Sequence, residues 1–97
     1  MSTDRAYKET MARLDAAAGQ AARAKAIAGN GHDDEAMRLL WDALPVLERE
    51  LGAYHPEVVD ALTDLAAIHE RRGENAEAAM LLERVDRIPD RSVLLTS

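Results

Sequence analysis

His32-Asp33-Asp34-Glu35 is the densest run of potential metal ligands and proton-transfer groups in the sequence. His55-x-Glu57 and His69-Glu70 are the other places where an imidazole stands beside a carboxylate. A metal site needs side chains that converge on one point. Consecutive residues at a helix start point in different directions, so helix capping and solvation are the expected roles of the first cluster. Neither imidazole-carboxylate pair has a nucleophile or an oxyanion partner, and His69 lies on an apolar helical face, where a partly buried core histidine is the simplest reading. We therefore expect no catalytic residue, no metal ligand and no cofactor. Trp41 is a different kind of candidate. Indole is a frequent interface anchor, and Met37, Trp41 and Leu44 form a stripe at i, i+4, i+7 outside the face used by Ala36, Leu40 and Ala43. Either the first helix or the C-terminal tail covers that stripe, or a partner does.

These residues are positioned by an internal repeat. Gly31-His-Asp-Asp-Glu-Ala36 is echoed by Gly73-Glu-Asn-Ala-Glu-Ala78, which places both the glycines and the Glu-Ala pairs 42 residues apart. A period of this size marks stacked supersecondary units. Four helices are expected. The first runs from Thr3 to about Ala28, with Tyr7, Met11, Leu14, Ala18 and Ala21 along one stripe, an alanine-rich second half, and Asn30-Gly31 as its stop. Whether it continues through Gly19 is left open, since a glycine in a helix interior costs about 1 kcal/mol relative to alanine and need not end the helix. The second begins with Asp33 as N-cap, is expected to kink at Pro45, and ends at Leu51-Gly52. The third opens at His55-Pro56 and buries Val58, Val59, Leu62, Leu65, Ala66, Ile68 and His69. The fourth, with Asn75 as N-cap, buries Ala78, Leu81, Leu82, Val85 and Ile88 before Pro89.

Ninety-seven residues make a single domain, 1–97. The net charge of −6 is uneven: residues 1–30 carry five basic and three acidic side chains, residues 31–97 seven and fifteen. Nucleic acid is an unsuitable ligand, because phosphate neutralisation needs clustered Lys and Arg. Without cysteine there is no disulfide framework or thiolate chemistry, and no segment reads as a signal peptide or membrane span. The expected home is the cytoplasm. Ten Arg against two Lys, with abundant Ala, fits a GC-rich bacterial genome.

Leu51-Gly-x-x-His-Pro-x-Val58, Leu62-x-x-Leu-Ala66, Gly73, Glu77-Ala78, Leu81 and Arg84 up to Ile88 resemble the 42-residue tetratricopeptide repeat of kinesin light chains, over about residues 31–88. The resemblance implies an all-α fold of antiparallel helix pairs, A then B, stacked as a short right-handed superhelix whose concave face is lined by A helices and binds peptides or helices. Repeat one would span about 14–51 and repeat two about 55–88, with 1–13 an N-terminal extension and 89–97 a tail. Two departures stand out: Gln20 and Arg23 replace the leucines found at 62 and 65, and Asp33 and Asn75 stand where the family usually has an aromatic. Carried over by position, the groove would consist of Ala21, Ala22 and Lys25 on the first helix and Asp60, Thr63, Asp64, Ala67, Glu70 and Arg71 on the third. The basic and amide set that clamps a C-terminal carboxylate in some relatives is missing. A basic or Ala-rich helix suits such a groove better.

Two repeats are fewer than a solenoid usually needs for stability. A continuous first helix of residues 3–28 would be about 39 Å long against about 25 Å for the third, leaving roughly 14 Å of overhang. Tyr7, Met11 and Leu14 at one end, Met37, Trp41 and Leu44 on the second helix, and Leu81, Val85 and Ile88 on the fourth are thus candidate interface residues. The expected function is a non-enzymatic adaptor or scaffold that holds a protein or peptide partner and self-associates, a dimer being favoured. The alternative is a purely structural homodimer whose groove is filled by its own chain or by the other protomer.

Overall fold

The computed structural model describes residues 2–87, with side chains from Arg5 onward. Ile88 and the tail with its Val93-Leu94-Leu95 run lie outside the described residues. Four helices follow one another: α1 (Ser2–Ile27), α2 (Asp33–Leu51), α3 (Pro56–Arg71) and α4 (Asn75–Asp86). No strand occurs among the described residues.

The helix boundaries follow from local chemistry. α1 is continuous through Gly19, and its alanine-rich second half packs on α2, burying Ala17 and Ala24. Small side chains let the two backbones approach closely. Gly31 and Gly73, 42 residues apart, both turn the chain with positive φ, +84° and +78°. L side chains resist that conformation, so the repeat begins each B helix from the same glycine turn. His55 caps α3, its Nδ1 accepting from the Glu57 backbone N–H at 3.1 Å, and Pro56 follows at the position where no helical donor is needed.

Two expected caps are corrected. Asp33 and Asn75 are the first helical residues rather than N-caps; those positions belong to His32 and Glu74, neither of which caps through its side chain. Asp33 turns the other way. Its carboxylate accepts from the Gly29 backbone N–H at 2.9 Å, closing the turn from α1 instead of the helix it starts. Pro45 does not break α2, and its ring faces solvent.

The helices stack as two pairs, α1 on α2 and α3 on α4, with α2 against α3 and a narrower contact between α1 and α3. α3 is therefore enclosed on more than one side. Half of it is buried, Val58, Leu62, Leu65 and Ile68 forming the centre of a core that Leu40 and Leu47 complete from α2. By contrast, α1 is exposed over nearly all of residues 5–13, and Ala17 is its first buried residue. The expected overhang is present.

Two substitutions separate core from surface. A Cβ added at Gly19 meets nothing within 4 Å, so Gly19→Ala should raise stability by about 1 kcal/mol. Leu65→Ala should lower it by about 2–5 kcal/mol. Chemical denaturation with unchanged m-values checks both.

Candidate functional site

α1 and α3 diverge enough to leave a cleft of about 200 Å³, lined by Ala18, Ala21, Ala22 and Lys25 from α1 and by Glu57, Asp60, Ala61 and Asp64 from α3. The floor is alanine, and the charged residues are three carboxylates and one ammonium. Asp64 is half-buried. Loss of water around it pushes its carboxyl above the ordinary range, Lys25 draws it back, and Asp60 adds to the rise. An anion held this way lacks a full complement of partners.

Of the groove positions expected from sequence, Ala21, Ala22, Lys25, Asp60 and Asp64 line this cleft. Thr63, Ala67 and Glu70 are exposed on α3 beyond it, and Thr63 spends its hydroxyl on the Val59 carbonyl at 2.8 Å. Glu57 and Ala18 line the cleft without having been expected there. They sit three residues before Asp60 and Ala21, one helical turn along the same faces, and that spacing was the available signal.

Arg71 is committed elsewhere, which removes it as a free groove cation. Its guanidinium holds Asp33 through two contacts, Nη2 to Oδ1 at 2.9 Å and Nε to Oδ2 at 3.3 Å. Arg72 joins Asp34, and its Nε reaches Glu74 at 3.0 Å. These pairs clip the turn of the second repeat to the first turn of α2, across 38 positions of sequence. Glu35 pairs with Arg23 at 3.5 Å. The acidic cluster Asp33-Asp34-Glu35 thus divides among three arginines rather than converging on one point.

A second and larger cleft, about 390 Å³, opens between α2 and α4, with Trp41 on one wall, Met80, Leu81 and Arg84 on the other, and His69 of α3 contributing to its lining. Trp41 is 42% exposed and Met80 68%. The Trp41 and His69 rings meet edge to face with centroids 6.5 Å apart. His69 is buried, and its Nδ1 lies 2.9 Å from Glu74. That contact, followed by Arg72, holds the Glu74 carboxyl below its ordinary range, so the ionised carboxylate accepts and Nδ1 donates. His69 Nε2 is buried without a hydrogen-bond partner among the described residues. Sequence reasoning missed Met80 because its 42-offset counterpart is Arg38, a solvated position.

The expected stripe on α2 is divided. Trp41 is exposed and Met37 half-buried, but Leu44 is only 2% exposed and belongs to the core, because α2 is covered by α1 and α3 together. Leu81 is also buried, while Val85 is half-buried and Leu82 is 36% exposed. Leu82 stands 42 residues after Leu40, which is fully buried. No described helix plays for α4 the part that α3 plays for α2. On α1, Tyr7 is 66% and Met11 36% exposed, and Leu14 is half-buried.

Comparison with known families identifies a tetratricopeptide repeat over residues 23–57, from the last turns of α1 through α2 into the first turn of α3. No curated protein and no solved structure matches the chain. Repeats of this family are protein-protein interaction units and are typically non-catalytic. None of the described helices is long and apolar enough to cross a membrane.

The clip between the repeats carries a pH signature. Arg71, then the Gly29 amide, holds the Asp33 carboxyl below its ordinary value. A carboxylate depressed on folding stabilises the fold above its ordinary value and loses that contribution as the pH falls through the depressed one. Asp33→Asn should lower the melting temperature modestly at neutral pH and make the remaining acid-side loss of stability shallower. Melting curves between neutral pH and pH about 2.5, compared with those of the parent chain, check this.

Proposed function

We propose that this tetratricopeptide-repeat chain is a non-catalytic interaction module whose α1/α3 cleft holds a basic or alanine-rich helix of a partner protein, and that the chain self-associates as a dimer. The observation that carries the groove reading is the pairing of an alanine floor with Glu57, Asp60 and the under-solvated Asp64. Small side chains admit a second helix backbone closely. A lysine or arginine of the incoming helix supplies the counter-charge that Asp64 lacks and displaces water that already solvates it poorly. The narrow volume favours small residues along the inserted face and long basic ones at its edge.

Self-association is supported by large apolar side chains that are exposed among the described residues: Tyr7 and Met11 on the N-terminal part of α1, Leu82 on α4 and Trp41 on α2. A stack of two repeats leaves such faces open, and a second copy closes them symmetrically. No particular observation favours the alternative in which the dimer is the whole function and the groove is filled by its own chain.

The groove reading predicts opposite effects on binding and folding. A helical peptide of lysine and alanine should bind the full chain in a salt-sensitive manner, and a glutamate-alanine peptide should not. Asp60→Asn with Asp64→Asn should weaken the lysine peptide about tenfold or more, taking one to two charge-assisted hydrogen bonds as lost. The sign for folding is reversed. A carboxyl raised on folding costs stability once ionised, so Asp64→Asn alone should leave the neutral-pH melting temperature unchanged or higher. Titration calorimetry and melting on the same samples read both. Equal affinity for the acidic peptide would remove the proposed ligand class.

A further inference from the structure

The α2/α4 cleft is set apart from the groove. It lies between the two B helices, and Trp41, Met80 and Leu81 stand where the groove has alanines, with Glu77, Glu83 and Arg84 beside them. Trp41 and Met80 keep much of their surface in water although they face a common cavity of about 390 Å³. That volume lies at the lower end of the range for ligand pockets and suits one or two side chains of a protein partner rather than a whole helix. An aromatic ring is the natural filling, since it stacks edgewise on indole and makes favourable contacts with a methionine sulfur.

The chain itself carries a complementary element. The α1 overhang presents Tyr7 and Met11 on one stripe, one helical turn apart. Its residues 5–13 hold three basic side chains against one acidic, while the wall segment 74–87 holds four acidic against two basic. The rim is already partly neutralised, as Arg84 pairs with Glu48 at 2.8 Å and Arg87 with Glu83 at 2.8 Å. Glu77 has no ion-pair partner among the described residues, nor has Lys8 on the overhang. The two surfaces therefore differ in net charge by sign and match in apolar character. They do not meet within one protomer: α1 contacts α2 and α3 but not α4, and Tyr7 stands ten residues, about 15 Å of helix, before the first buried residue of α1.

We propose that the α2/α4 cleft receives Tyr7 of a second copy of this chain, the two copies exchanging their N-terminal helix ends reciprocally. The proposal rests on the self-association reading and gives it a docking site. Tyr7 enters between Trp41 and Met80, Met11 covers the mouth of the cleft, and the basic flank of α1 lies along the acidic side of α4. Reciprocal exchange uses each surface once per protomer, so the assembly closes at two copies and does not propagate.

Light scattering and fluorescence on the full chain test it together, because Trp41 is the sole tryptophan. Association with rising concentration should shift Trp41 emission to shorter wavelength, and added salt should weaken both. Tyr7→Ala and Met80→Glu alter exposed side chains, so helical circular dichroism should be unchanged. Each should raise the dissociation constant about thirtyfold or more, as expected for loss of an aromatic anchor or of its socket. Mixing the two variants should restore part of the association, since Tyr7→Ala keeps an intact cleft and Met80→Glu an intact Tyr7. A dimer whose mass ignores both substitutions and whose Trp41 emission does not move on association would overturn the cleft assignment and leave self-association standing. A monomer at every concentration would overturn self-association itself.

Discussion

The burial of α3 is the constraint on which the other helices depend. It is sixteen residues long, and eight of them are buried, because α4, α2 and, more narrowly, α1 all pack against it. A helix that is apolar over so much of its circumference has no stable existence alone in water. Leu65 and Ile68 are as fully enclosed as Leu40 and Leu47 on α2, and these four belong to one continuous core. α1 and α4 then occupy equivalent outer places with unequal results. α1 covers the stack with alanines and projects past it, while α4, the shortest helix, offers larger side chains and leaves several of them in water.

Charge fixes what packing leaves free. Apolar stripes specify which faces meet but tolerate sliding along the helix axis. The bidentate Arg71-Asp33 pair and the Arg72-Asp34 and Arg84-Glu48 contacts each join residues 36 to 38 apart in sequence. Exposed ion pairs contribute little individually. A set of three spread along α2 specifies register, with Arg71 and Arg72 at the end of α3 holding its first turn and Arg84 of α4 holding Glu48 near its C-terminal end. Of the three, only the Arg84-Glu48 pair joins α4 itself to α2; the other two tie the end of α3 to the start of α2.

The helices were legible because their signals are local. The glycine turns at 31 and 73, the His55-Pro56 start and the apolar stripe of α3 each state their role within a few residues, and the 42-residue echo ties them to one architecture. The alanines and carboxylates that line the α1/α3 cleft were legible for the same reason, once a family pattern said which faces look inward. What the sequence concealed depends on neighbours distant in the chain. Asp33 has the composition of an N-cap, yet an arginine 38 residues later and the Gly29 amide compete for its carboxylate. Arg71 looked available to a groove until that pairing was seen. Leu44 matched an outward stripe, but the stripe is interrupted where two helices cover α2 at once. Helical periodicity gives the angle of a side chain about its own axis and says nothing about how many neighbours share that angle.

The same geometry explains why two unlike surfaces coexist on so small a chain. One cleft opens between the A helices α1 and α3, the other between the B helices α2 and α4. The inner cleft is the smaller and pairs an alanine floor with charged edges; the outer one is larger and sets Trp41, Met80 and Leu81 beside charged residues of α4, which reaches α2 through the Arg84-Glu48 pair. Backbone helices suit the first and single bulky side chains the second. A solenoid with more repeats would cover Leu82 with a following A helix, as α3 covers Leu40. Among the described residues Leu82 and the rim of the outer cleft are exposed together on α4, so a partner that occupies one lies close to the other. In the proposed dimer, covering both would add apolar burial where a short stack lacks it and so link association to folding stability.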